Sequence, residues 1–131
     1  MSKVEIKHPD KLVDTGAYSA GVLIDGWLYI SGQGPLDLRT GKVLRGSTEE
    51  ETRLTLSQIG KILEAAGCTF ADVVKCTCHL ADINDFDRFN KVYSEFFSGI
   101  RPARTTVQSV LGDGIKVEID AIARVPQNQA A

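Results

Sequence analysis

Arg104 follows Pro102-Ala103 at the start of an extended stretch, where a planar guanidinium can meet a carboxylate through two parallel hydrogen bonds. On spacing alone, a structural salt bridge is the simpler reading of that arginine. Glu118 and Asp120 project the same way from one alternating stretch, about 7 Å apart by strand rise, with Lys116 beside them. That set is too ambiguous to name a glycosidase pair, and a solvated strand face explains it as readily as acid–base chemistry does. Cys76-Thr77-Cys78 invites a metal, but its thiols share one strand face and no second Cys/His pair stands at zinc-like spacing, so buried small hydrophobes are the better account. His8 and His79 are the only histidines. His79 shares its face with Lys75 rather than with the cysteines, which makes a Cys–His nucleophilic pair awkward and favours a surface or interface histidine. Ser31-Gly32-Gln33-Gly34 has neither the dinucleotide-binding nor the P-loop spacing and reads as a strand end and turn.

The elements that must position these residues are legible in outline. Residues 18–24 and 27–32 read as strands joined by Asp25-Gly26, a type I′ hairpin signal because both central positions need positive φ. Gly34-Pro35 and residues 37–41 read as loop and turn, with a short strand around Val43-Leu44. Across 48–66, Leu56, Ile59, Leu63 and Ala66 recur at helical spacing; Ser47 and Glu50 form a capping box, acids fill the first turn, and Gly67 suits the stop. Residues 73–80 alternate, with Val74, Cys76, Cys78 and Leu80 on one face and Val73, Lys75, Thr77 and His79 on the other. A second helix is expected over about 84–97, because Phe86, Phe89, Tyr93 and Phe96 share a face, Asn84 or Asp82 can cap its start, and Gly99 and Pro102 end it. Finally, 104–111 is expected to pair with 115–123 across Gly112-Asp113-Gly114, with Ile115, Val117, Ile119 and Ala121 packed against Lys116, Glu118 and Asp120 on the other side.

This order of strands, helix, strand, helix and strands implies an α+β fold: one mixed or antiparallel sheet with two helices packed on one face. If apolar residues lie on the other face, it cannot simply meet water, and self-association into a homo-oligomer is the usual remedy. The 131 residues fit a single domain, 1–131, with a polar tail over 127–131. A formal charge of -2 and no basic run argue against nucleic acid as a main partner. No apolar run is long enough to span a membrane and the start lacks a signal-peptide pattern, so a cytoplasmic location is expected, with the three cysteines as reduced thiols.

Several stretches together resemble the RidA/YjgF family over nearly the whole chain. They are Arg101-Pro102-Ala103-Arg104-Thr105-Thr106-Val107, Ile115-Lys116-Val117-Glu118-Ile119-Asp120-Ala121, Gly16-Ala17-Tyr18-Ser19, Tyr29-Ile30-Ser31-Gly32-Gln33, and Asp85-Phe86-Asp87-Arg88-Phe89-Asn90 leading to Tyr93. The resemblance implies a chorismate-mutase-like fold assembled as a homotrimer, with clefts between neighbouring subunits. It implies that Arg104 grips a substrate carboxylate, that Glu118 positions or protonates, and that Tyr18, Ser31, Gly32 and Asn90 shape the cleft. Thr106 stands where many members carry a cysteine that lines the cleft, a departure that bears on substrate range more than on reaction type. The activity implied is that of a 2-iminobutanoate/2-iminopropanoate deaminase-type hydrolase: hydrolysis of reactive enamine or imine acids, such as 2-aminoacrylate, to 2-oxo acids and ammonia, with no metal or cofactor. Two alternatives remain at this point: a trimer that binds a small carboxylate for regulation without turnover, and an endoribonuclease-type translation inhibitor.

Overall fold

The computed structural model describes residues 2–127, so the expected polar tail lies, apart from Gln127, outside the described residues. Asp25 and Gly26 both take positive φ, 52° and 82°, and close the expected tight hairpin between β2 (Gly21–Ile24) and β3 (Trp27–Gln33). β2 begins three residues later than its apolar pattern suggests. Tyr18 lies in the preceding loop, and the segment is held instead by Ser31 N–H donating to Ala20 O. An unforeseen short strand, β1 (Val4–Ile6), pairs antiparallel with β2. The expected strand at Val43-Leu44 is a single bridge between Leu36 and Val43.

Helix α1 (Thr48–Ala65) carries both bonds of the Ser47/Glu50 capping box, and Gly67 follows it at φ 79°. Leu56, Ile59, Ile62 and Leu63 are buried, as are polar Glu51, Thr52 and Thr55 nearer its start and Gln58 among them. Strand β4 (Val73–Leu80) has the expected bounds, but Val74 is exposed and Val73 buried, the reverse of simple alternation. The cause is a register shift against the last strand between Val73 and Lys75, which flips the first residues relative to Cys76, Cys78 and Leu80. Helix α2 (Phe86–Phe96) starts after a 3-10 turn, Ile83–Asp85, in which the Asp82 carboxylate accepts Asn84 N–H.

The final pair is the largest correction. Strand β5 (Ala103–Gln108) does not pair with β6 (Val117–Arg124). It runs parallel to β4 at the sheet edge, while β6 lies antiparallel between β3 and β4, giving the order β1-β2-β3-β6-β4-β5. Burial explains the placement: Val117, Ile119, Ala121 and Ala123 are all buried and demand a central position, whereas β5 is exposed or half-buried along its length and suits an edge. Parallel pairing of β4 with β5 needs a crossover, which α2 supplies. Gly112–Gly114 forms a 3-10 turn within the connection instead of a hairpin tip.

The result is the expected α+β layout, a mixed six-stranded sheet whose helices share one face. Leu28, Ile30, Cys76, Cys78, Leu80 and Ile119 pack there against Leu56, Ile59, Phe89 and Tyr93. The opposite face is uncovered by this chain and displays Trp27, Tyr29 and Val107 at 39%, 47% and 39% exposure. Among the described residues, no helix is long and apolar enough to cross a membrane.

Candidate functional site

Arg104 pairs across the parallel ladder with Cys76, which is in the core, so its side chain lies on the helix side of the sheet edge. Helix α2 meets it with residues spaced on one face. The guanidinium lies over the rings of Phe86, Phe89 and Tyr93, at 5.4, 5.7 and 4.7 Å from their centroids, and Nη1 donates to Asn90 Oδ1 at 2.8 Å. These contacts fix the plane of the guanidinium while its other N–H groups make no hydrogen bond among the described residues. An open hollow of about 400 Å³ lined by Asn90, Tyr93, Ser94, Arg101, Pro102 and Arg104 adjoins it. Thr106 follows on the same side of β5, and its buried Oγ1 has no hydrogen-bond partner among the described residues. This corner therefore offers a held cation beside an open hollow, which suits a carboxylate.

Glu118 stands elsewhere. It pairs with His79, and Ile119 and Val117 beside it are buried against the helices, so Glu118 projects from the uncovered face. The β3–β6 register shifts between Ile30 and Gln33, a bulge that contains Ser31 and Gly32. Gly32 leaves room for the carboxylate: a Cβ there would lie 2.7 Å from Glu118 Oε2. Ser31 Oγ donates to Ser19 O at 2.6 Å, tying the segment that carries Tyr18 to the bulge. Tyr18 is 48% exposed and shares a 2.5 Å hydrogen bond with Thr15 Oγ1, with Lys11 Nζ 5.0 Å from its ring centroid.

The residues singled out from the sequence thus fall into two groups. Arg104, Asn90 and Thr106 gather on the helix side at the β5 edge; Ser31, Gly32 and Glu118 gather at the β3 bulge, with Tyr18 joined to it only through its neighbour Ser19 while its own side chain meets Thr15 and Lys11. Two strand spacings and the sheet itself separate Arg104 from Glu118 within one chain.

Sequence reasoning placed the aromatic stripe Phe86, Phe89 and Tyr93 on one helical face and missed that this face cradles Arg104. The usable signal is Asn90, a polar residue set within that stripe and four residues after Phe86. His79, expected at a surface or interface, has Nδ1 2.8 Å from Ser109 Oγ and Nε2 3.7 Å from Asp120 Oδ2. Cys76 and Cys78 are buried, and burial pushes both thiols up, away from the reactive thiolate. Among the described residues, no three His, Cys, Asp or Glu side chains are grouped to hold a metal ion.

Comparison with known proteins places this geometry in context. Residues 9–125 match the family model described as endoribonuclease L-PSP. A protein of Bos taurus named 2-iminobutanoate/2-iminopropanoate deaminase is 49% identical over 109 residues, covering 82% of this chain and 80% of its own. Its namesake from Rattus norvegicus is 47% identical over the same shares. The solved structure of E. coli TdcF with bound serine superposes with a TM-score of 0.85 at 33% identity, covering 92% of this chain and 98% of that one. The sheet order and helix placement described above are those of this chorismate-mutase-like α+β fold.

Proposed function

The chain belongs to the endoribonuclease L-PSP family, also called RidA/YjgF, and from that premise we propose that it hydrolyses short 2-imino acids and their enamine tautomers to 2-oxo acids and ammonia. The observation that carries this reading is the Arg104 guanidinium, oriented by Asn90 and three rings beside an open hollow. A substrate with a carboxylate next to its imine carbon would dock there through two parallel hydrogen bonds. The amino acid bound to TdcF has the same carboxylate next to a nitrogen-bearing carbon, which supports the match.

The remaining machinery is supplied by a second copy. Arg104 and Glu118 lie on opposite sides of one sheet, so a cleft holding both needs the β5 edge of one subunit to face the bulge and uncovered face of its neighbour. Tyr18, Ser31 and Gly32 of that neighbour then line the same cleft, and Asn90 and Thr106 accompany Arg104. The two contacting surfaces differ, so the interface is head-to-tail, and a finite assembly forms where it closes into a ring. Closure at three, a homotrimer, follows the family resemblance, and the exposed Trp27, Tyr29 and Val107 give the uncovered face an apolar reason to be covered.

Within the cleft the chemistry needs no more than positioning and one acid–base group. Glu118 takes a proton from water as the water oxygen bonds to the imine carbon; the C=N electron pair moves to nitrogen, which gains a proton. In the resulting carbinolamine Glu118 takes the hydroxyl proton and delivers one to the amine nitrogen; the C–N bond breaks with its electron pair going to nitrogen, the C=O forms, and ammonia departs, leaving the 2-oxo acid. Thr106, two residues after Arg104 on the same side of β5, is assigned through the family resemblance to shaping which side chains fit. A formal charge of -2 without a basic run gives no support to ribonuclease action.

The test is to generate several imino acids in place with an amino-acid oxidase and follow loss of the imine with and without the protein. Faster hydrolysis with matching ammonia release is expected. Retention of a 2-oxo acid without faster hydrolysis would instead support the reading of a small-carboxylate binder without turnover.

A further inference from the structure

Glu51 is a carboxylate where none is needed for solubility: it is 1% exposed, beneath the first turn of α1. Ions buried this deeply persist only where hydrogen bonds and an opposite charge replace water. Glu51 has both. Oε1 accepts the backbone N–H of Lys116 at 2.7 Å, Oε2 accepts Gly46 N–H at 3.0 Å, and Lys116 Nζ stands 3.4 Å from Oε2 while donating to Gly46 O at 2.8 Å. The first turn of a helix also favours negative charge.

The position of this clamp is what gives it meaning. Lys116 is the residue immediately before β6, and its carbonyl accepts Ala81 N–H at 2.9 Å just beyond the end of β4. The peptide groups on both sides of Lys116 are therefore tied, one to α1 and one to the chain leaving β4. Glu118 follows two residues later, with its carboxylate over Gly32. A second tie, Arg45 Nε donating to Asp113 O at 2.8 Å, binds the same connection to the loop before α1. An apolar side chain in this space would leave both backbone N–H groups without an acceptor, whereas the carboxylate joins the two with directional bonds.

We propose that Glu51 is a positioning residue for the hydrolysis: by holding Lys116 N–H and Gly46 N–H together, it sets where β6 begins and hence where the Glu118 carboxylate sits over the β3 bulge. This rests on the assignment of Glu118 as the acid–base group. Glu51 touches no substrate and acts only through Glu118, whereas Arg104 is fixed independently by α2.

A double-mutant cycle tests the coupling, using Glu51→Gln, Glu118→Gln and the double variant, each checked for folding by thermal melting. Glu51→Gln turns one acceptor into a donor facing an N–H group. It should lower kcat about 10-fold, the scale expected of a small displacement of a reacting group, with less than about a twofold change in the Kd of a 2-oxo acid. In the Glu118→Gln background, the same substitution should cost nothing further. An equal additional loss in the double variant, or unchanged kcat in Glu51→Gln alone, overturns the role of Glu51 while leaving that of Glu118 standing. Normal turnover in Glu118→Gln overturns the assignment of Glu118 and this inference with it. If Glu51→Gln fails to fold, Glu51→Asp, which keeps the charge but withdraws the carboxylate, takes its place in the cycle with the same expectations.

Discussion

The two halves of the candidate site are held in opposite ways. Arg104 rises from an edge strand whose backbone is little buried, and its order comes from the side chain: three rings and the Asn90 carbonyl fix the guanidinium directly. Glu118 rises from a central strand flanked on both sides, and its order comes from the backbone: every second residue of β6 is buried, and Glu51 ties the residue before the strand. Its carboxylate has no hydrogen-bond partner among the described residues. The difference suits the two tasks proposed for them. An anchor must present a fixed plane, whereas a group that collects and delivers a proton must be well placed yet able to swing between a water and a nitrogen.

If that division is right, damage to the halves should have different kinetic signatures. The largest effect is expected from Arg104→Ala, which should cost about 10³-fold in kcat/KM by removing a charge-assisted anchor, and Arg104→Lys should be nearly as poor because an ammonium lacks the planar fork. Both should fold and assemble normally by light scattering. Normal activity at subsaturating substrate would break the comparison at its anchor end. Next, Glu118→Gln should lower kcat about 10²-fold while leaving the affinity for a 2-oxo acid near wild type, a separation that titration calorimetry beside turnover can read. Gly32→Ala sharpens the same half. Its Cβ would meet the carboxylate at 2.7 Å, so kcat should fall about 10-fold with binding through Arg104 retained.

The smallest effect separates the halves by acidity. His8 is 4% exposed: Asp10 N–H donates to its Nδ1, so Nε2 carries the proton and donates to Gln58 Oε1 at 2.8 Å, while Gln58 Nε2 donates to Leu36 O. Burial holds the imidazole below its ordinary value of 6.5. The folded state therefore binds fewer protons than the unfolded chain below that pH. His8 leaves stability undiminished above about 6.5 and lowers it as pH falls toward the folded value. The network supports the segment leading to Tyr18, so acid should loosen the Glu118 half first. Amide exchange should rise over residues 9–18 before it rises in α2, and His8→Gln should flatten this acid dependence of Tm. Equal loosening of both regions would remove the distinction.

Much of this arrangement was legible from local pattern. The Asp25-Gly26 turn, the Ser47/Glu50 box with Gly67, the bounds of β4 and the outward projection of Glu118 each depend on residues close in sequence. What failed depends on distant ones. Gly112-Asp113-Gly114 between two extended stretches looks like a hairpin tip, and nothing local announces that β6 inserts between β3 and β4 while β5 turns to the far edge. Val74 was misassigned because a single-residue bulge reverses the faces, and β1 is too short to alternate. Glu51 looks like one more acid favouring a helix start, and its burial follows only from the connection that returns over it. The separation of Arg104 from Glu118 was hidden for the same reason: each residue's face could be read, but not the strand order that sets them on opposite sides.

That separation is the central claim, and complementation tests it most directly. Arg104→Ala and Glu118→Gln proteins, each reduced alone to about a hundredth of wild-type activity or less, are unfolded together, refolded as a mixture and assayed for imine hydrolysis. If each cleft joins Arg104 of one copy to Glu118 of the next, random assembly of equal amounts leaves about a quarter of the clefts with both groups intact, and about a quarter of wild-type activity should return. No recovery, from a mixture shown by mass spectrometry to contain mixed oligomers, would mean that each site is built within a single chain.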